Sequence, residues 1–554
     1  MLYTDIVFET KSRYAYVYKE DVIHFIIKIK KNITNDISVI AGDPFVCKID
    51  DKGSSCYDLS SQLIKPMEYV GSDKYYDYFF SEISEIKTKR MRYAFIIDNQ
   101  YLYNAIDLYP YNEETRKDLS KYFNFPYLNK EDILEKSSFM NDSIWYQITV
   151  SHFTKQGTFK SLCDKLSYLK DLGVNGLYFT PIFEGQSWHL YDTIDYFKID
   201  KRLGTNDHFK AFVDLAHNLG MKIMVDGVFN HCGNEHPFWL DVVKKGKNSK
   251  YFDCFYIKDD FPKVLGENNI NYSTFAFNPM MPKINTCHPI MQKYIIDIVT
   301  YWTREYGVDA WRLDVSNEVP HRFWRTFRQH LKAINPDILI LGENWDDSYP
   351  WLMGDQFDSV MNYSFMNMVV DYLKDGKGSK NAIETSYELV KMRFSYPKVV
   401  CDQLLNFIDS HDTKRIFEIF DNNIAKIKLA FVLLLTSNGS PCILYGDEIG
   451  LDASGRDSRI KMLWDNHNLN IYEHVRKMIK IRKNYDQLRG SELRIIPDDL
   501  LLIYKKGDIY FVINNNDEDV IFDLGIYEAY DVYDERVIKI ASIKALDFMI
   551  FKTI

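Results

Sequence analysis

Four runs place acidic, basic and imidazole side chains just where apolar stretches end. They are Asp226, Asn230 and His231 in DGVFNH, Arg312 and Asp314 in WRLDVSNEV, Glu343 in GENWDD, and His411 and Asp412 in NFIDSHDTKR. Charged side chains are rarely set among apolar ones, because burying a charge is costly unless it is paired. Carboxylates such as Asp314, Glu343 and Asp412, with no cysteine or histidine ligand set beside them, admit two chemistries. A Mg²⁺ site would accept them, but Arg312 would compete with the cation for Asp314. Cleavage of a glycosidic bond needs one carboxylic acid to protonate the leaving oxygen and one carboxylate to trap the oxocarbenium-like centre. The set supplies both.

These residues act together only if the fold brings the ends of their strands to one place. From Ile144 onward, apolar strand-like runs alternate with helical ones: Ile144 to Val150, Val174 to Thr180, Lys222 to Asn230, Asp309 to Val315, Ile338 to Asn344, Asp358 to Asn362, Leu404 to Asp409 and Pro441 to Gly446. Between the first two, Phe159, Leu162, Leu166, Leu169 and Leu172 form one helical stripe that Gly173 ends. After Thr205, Phe209, Phe212, Val213, Ala216 and Leu219 form another, stopped by Gly220. Such alternation predicts parallel strands with right-handed crossovers, and eight of them close into a barrel whose active site lies at the C-terminal mouth.

The stretch from about 232 to 288 is too long for a plain loop and predicts a small domain inserted after the third strand. Upstream, VIHFIIKIK and RYAFIID are dense in β-branched and aromatic residues. Downstream of Leu488 the helical pattern stops, and LLIYKK and IYFVINN follow. The expected fold is therefore α/β: a (β/α)₈ TIM barrel over 119–489, an N-terminal β-sandwich over 1–118 and a C-terminal antiparallel β domain over 490–554.

A net charge of −10, with no long basic run, argues against nucleic acid as a partner. The greasiest stretch, Ala430 to Leu435, is far shorter than the roughly 18 apolar residues of a membrane span. The opening residues lack the basic start and apolar core of a signal peptide. The eight cysteines are scattered without a C-x-x-C pair and read as thiols in a reducing compartment. A cytoplasmic protein acting on a neutral substrate is expected.

Taken in order, the four runs resemble the four conserved regions of the α-amylase family. MPKIN (Met281 to Asn285) resembles the fifth region as found in the neopullulanase, cyclomaltodextrinase and maltogenic amylase subgroup, and VSNEV that subgroup's second region. HLYDTIDYFKID and SPCILYGDEIG extend the match, and KSRYAY and AGDP resemble the subgroup's N-terminal sandwich. The resemblance implies a retaining hydrolase of α-1,4-glucosidic bonds in cyclodextrins and maltooligosaccharides, and by extension pullulan or starch. It makes Asp314 the nucleophile, Glu343 the acid/base and Asp412 the stabiliser of the distorted sugar. His189, Tyr191, His231, Arg312, His411 and Arg415 fall to substrate binding, with Glu318 and Trp345 on the acceptor side. Asp226 and Asn230 are structural, Asp226 holding Arg312. It also implies a homodimer built through the N-terminal domain.

The chain departs from the family in two places. SHFTKQGTFKSL replaces the long acidic loop that binds calcium in many relatives, so no cofactor or metal is expected. Asn344 and Asp346 stand where the family has other residues around Trp345, so acceptor preference is not simply inherited. Two alternatives differ in kind: a transglycosylating or isomerising member, decided by product analysis, and a non-catalytic glucan-binding relative, against which the presence of all three carboxylates speaks.

Overall fold

The computed structural model describes residues 3–49, 51–58, 62–84, 90–125, 132–266, 269–465 and 468–554. By compactness the chain forms two units, Met1–Glu135 with Lys380–Cys401 and Glu492–Val512, and Lys136–Ser379 with Asp402–Ser491 and Ile513–Ile554.

The second unit holds the barrel. Its strands are β1 (Trp145–Ile148), β2 (Gly176–Phe179), β3 (Lys222–Gly227), β4 (Ala310–Leu313), β5 (Leu339–Gly342), β6 (Ser359–Val360), β7 (Leu405–Asn406) and β8 (Ser440–Leu444). All pair in parallel in the order β6-β5-β4-β3-β2-β1-β8-β7. A parallel bridge from Met361 to Leu405 closes the ring between β6 and β7. Trp145, Tyr178, Met224, Ala310, Leu339, Leu341 and Leu405 fill its interior. The strands are shorter than the apolar runs that announce them: Val228–Asn230 and Phe407–Asp409 leave the ladder and turn toward the mouth.

The stripe between β1 and β2 is two helices, Phe159–Cys163 and Leu166–Leu172. Gly173 ends the second at φ 102°, a left-handed cap that favours glycine. The segment after β3 carries the helix Pro237–Lys245 and a small hairpin, Val264–Gly266 against Asn269–Ile270. Beyond the last barrel helices the chain is antiparallel, with Glu528–Asp531 between Arg536–Lys539 and Asp547–Thr553.

In the first unit, two antiparallel sheets form a sandwich. One is centred on Val22–Lys30 and Tyr76–Ile83, the other on Met91–Ile97 and Ile37–Gly42. Phe25, Ile27 and Ile29 from the first meet Val39, Tyr93 and Phe95 from the second in one core, which also takes in Val390 and Phe394. Among the cysteine side chains described, Cys232, Cys254, Cys401 and Cys442 are buried, and Cys163 and Cys287 are partly exposed. Among the described residues, no helix is long and apolar enough to cross a membrane.

Candidate active site

The site grows out of strand register. Asp226 on β3 is the lateral partner of Arg312 on β4, and neighbours in register point to the same side of a sheet. Asp314 follows Arg312 at the strand's two-residue period and keeps that side, while Trp311 and Leu313 face the surrounding helices. Arg312 has no exposed surface. Its Nη1 donates to both oxygens of Asp226 at 3.0 Å and to Asp314 Oδ1 at 2.7 Å. Its Nη2 lies 2.9 Å from Glu343 Oε2, close enough for an ion pair but without hydrogen-bond alignment, and 3.7 Å from Asp412 Oδ2. One guanidinium thus gathers four carboxylates from the ends of β3, β4, β5 and β7.

Such crowding changes proton affinity. Burial pushes the Asp226 carboxyl up to about 7, with Arg312 opposing and the other carboxylates adding to the rise. Asp314 is likewise raised by burial, against Arg312. Burial works against the charge of Arg312, but Asp226 and Glu343 outweigh it and the guanidinium stays ionised.

The imidazoles behave differently. Burial lowers His231 to about 3 and, with Arg312 beside it, holds His411 well below the usual range, so both are neutral. Gln147 on β1 donates from Nε2 to His411 Nδ1 at 2.7 Å, which leaves the ring proton on Nε2, 3.0 Å from Asp412 Oδ2. Tyr191 Oη bonds the same Nε2. His231 donates from Nε2 to the Tyr191 carbonyl at 3.1 Å and stacks on Phe275.

Around this floor lies a cleft of about 690 Å³, whose wall includes Tyr191, Glu318, Glu343, Trp345, Asp412 and Arg459. Trp345 is half-exposed and stacks at 3.9 Å on Tyr363, whose hydroxyl donates to Glu343 Oε1 at 3.3 Å. Lys283, from MPKIN, pairs with Glu318 at 3.0 Å and also donates to Asn230 Oδ1. His189 Nδ1 accepts from the Tyr191 amide at 3.1 Å.

Comparison with known proteins follows the same outline. Residues 136–506 match the model of the α-amylase catalytic domain, and residues 1–129 that of its N-terminal ig-like domain. The chain belongs to the α-amylase family of glycoside hydrolases. A cyclomaltodextrinase of Geobacillus thermopakistaniensis is 38% identical, over 91% of this chain and 90% of that one. Neopullulanase 2 of Thermoactinomyces vulgaris is 36% identical, over 89% and 86%. A solved structure of a cyclomaltodextrinase superposes along both whole chains with a TM-score of 0.92 at 31% identity.

Within this family frame, the structure brings Asp314, Glu343, Asp412, His189, Tyr191, His231, His411, Glu318 and Trp345 together at one mouth. Arg415 is corrected. It was grouped with substrate binding, yet it is fully buried, donating to Asp447 Oδ1 at 2.8 Å and to the Ser458 carbonyl at 2.8 Å. It follows His411 and Asp412 closely in sequence, but the chain has by then turned back into the protein. Arg312, also read as a substrate binder, has no exposed surface and faces four carboxylates. Sequence reasoning missed Gln147, Tyr363 and Arg459. Arg459 pairs through two contacts of 2.9 Å with Asp457 and lies over the Trp188 ring at the rim. Its only signal was the charged run GRDSR after β8.

Proposed function

We propose that this enzyme hydrolyses α-1,4-glucosidic bonds in cyclodextrins and short maltooligosaccharides, with retention at the anomeric carbon. The observation that carries the reading is the shared guanidinium of Arg312, which holds Asp314 and Glu343 side by side at the floor of a cleft walled by aromatic rings. Glu343 gives its proton to the glycosidic oxygen as that bond breaks, and Asp314 Oδ attacks the anomeric carbon to form a glycosyl ester. Water then gives a proton back to Glu343 and displaces Asp314. Asp412, oriented by neutral His411, receives sugar hydroxyls, and Tyr191 supplies an aromatic face.

The reading extends to a homodimer formed through the N-terminal sandwich, in the cytoplasm. It includes no metal. The segment Ser151–Gly157 has no carboxylate, and its hydroxyls are engaged locally, Ser151 with His152 Nδ1 and Thr154 with Ser161. Calcium asks for six to eight oxygens. A product profile on β-cyclodextrin, pullulan, soluble starch and maltotriose tests the substrate class. Rapid opening of the cyclodextrin with slow attack on starch is expected. Preference for starch, or longer transfer products in place of maltose and glucose, would redirect the reading.

A further inference from the structure

Immediately after Asp314 the backbone does something the side chain disfavours. Val315 sits at φ 45° and ψ 41°, the left-handed region, where a β-branched residue is a steric outlier. Strain of this kind persists only where surroundings over-determine it, and it concentrates at functional sites. Here the surroundings are specific. The turn aims the Val315 amide at Glu343 and donates to Oε2 at 2.9 Å. The next residue, Ser316, is fully buried, and its hydroxyl proton is shared between the main-chain carbonyl of Glu343, 3.0 Å from Oγ, and Asn344 Oδ1, 2.8 Å away. Trp324 Nε1 fixes the Ser316 carbonyl at 2.9 Å, and the Glu318 amide fixes that of Val315 at 3.1 Å.

The approach is close enough to dictate the residue before Glu343. A Cβ on Gly342 would meet Ser316 Oγ at 2.9 Å and the Phe357 ring at 2.5 Å, so only glycine lets the two chains lie so near. Other groups face the Glu343 carboxyl, but none replaces the amide. Arg312 is near Oε2 without alignment, Tyr363 reaches Oε1 at 3.3 Å, and Asp314, Asp226 and Asp412 repel it.

We infer that Val315 and Ser316 are positioning residues for Glu343: the left-handed turn after Asp314 is a clamp that fixes the acid/base carboxyl, by amide at one end and hydroxyl at the other. The attacking and protonating groups are thereby set by one continuous piece of chain. This rests on the role given to Glu343 above, so the test separates the two. Two full-length variants are compared with the unmodified enzyme: Ser316→Ala, and an amide-to-ester replacement at Val315, which deletes only the N–H.

Misplacement of a proton donor should lower kcat on maltotriose about 10- to 100-fold in each variant, with KM changed less than about threefold. The first step with α-maltosyl fluoride, followed as the burst of fluoride released while the glycosyl ester forms, needs no proton from the enzyme and should keep close to the unmodified rate. Equal losses on both substrates, or no loss on either, would overturn the clamp. An unmodified enzyme idle on both substrates would instead overturn the hydrolase reading. Should either variant fold poorly, NMR of the unmodified chain labelled with ¹⁵N-valine still decides. The Val315 amide resonance should sit downfield in the unmodified chain and move upfield in Glu343→Gln, which removes the charge it donates to; an unchanged resonance contradicts the clamp.

Discussion

The buried arginine–carboxylate clusters around Arg312 and Arg415 lie in the same barrel and have opposite uses. Arg312 is surrounded by Asp226, Asp314, Glu343 and Asp412, and the last three reach the wall of the cleft. Arg415 pairs with Asp447, while Asp409 accepts from the Ile416 amide at 2.8 Å, and none of these three residues is more than 1% exposed. Burial raises the carboxyls in both places. Perturbed acidity and buried charge therefore do not by themselves mark chemistry. What separates the clusters is whether a carboxylate oxygen ends in a space that a sugar can enter.

The largest effect should fall on the open cluster. Asp314→Asn and Glu343→Gln should each lower kcat at least about a thousandfold, the order of nucleophilic and general-acid contributions, while the far-ultraviolet spectrum stays unchanged. A variant that keeps more than about a tenth of the rate would remove its residue from the proposed role.

In the sealed cluster the effect should appear as stability. Arg415→Ala leaves Asp447 buried without its partner, so denaturant unfolding should show a loss of about 3–5 kcal/mol. The kcat of the folded enzyme should fall less than about tenfold. The reverse pattern, intact stability with a collapse in kcat, would return Arg415 to the substrate.

A third experiment uses pH to sharpen the contrast. Asp226 holds its proton up to about 7 in the folded chain, against roughly 4 when unfolded. Its contribution to stability is thus complete below pH 4 and is lost as pH rises toward 7. Asparagine stands in for the protonated form, so the stability of Asp226→Asn relative to wild type should improve steadily from pH 4 to pH 7. Taking the difference removes the neutral histidines, whose slope has the opposite sign in both proteins. A difference that is flat, or falls with pH, would show that Arg312 keeps Asp226 ionised throughout.

The smallest effect should come from chelation. EDTA should move the melting temperature by less than about 2 °C and leave the rate unchanged, since the shortened loop lacks the oxygens that calcium needs. A large drop restored by Ca²⁺ would place a metal in the enzyme.

The alternation of runs made the barrel legible, and charged residues at strand ends made its mouth legible. Both signals rest on simple physics, the two-residue period of strands and the cost of buried charge. The misreadings came where local pattern says little about direction. Arg415 shares a run with Asp412 but follows a turn that sends it inward. Gln147 lies inside an apolar strand run, and Tyr363 opens a helix after β6, so neither differs from a packing residue until the ring closes and points it at His411 or Glu343. Val315 is the extreme case: its side chain argues against the left-handed conformation that its neighbours impose. Removing residues 1–118 to probe the proposed dimer would bare Val390 and Phe394, which share the sandwich core. Light scattering on the intact chain is the cleaner test.

The central claim is a double displacement through Asp314 and Glu343, and the configuration of the first product reports on it directly. Carboxyl groups roughly 5–5.5 Å apart favour a covalent intermediate and retention, while a wider pair admits water on the opposite face. Proton NMR of the earliest hydrolysate of β-cyclodextrin, read before mutarotation, should show the α-anomer first, with the β-anomer growing only at the rate of spontaneous interconversion. A β-anomer present first would contradict the mechanism outright.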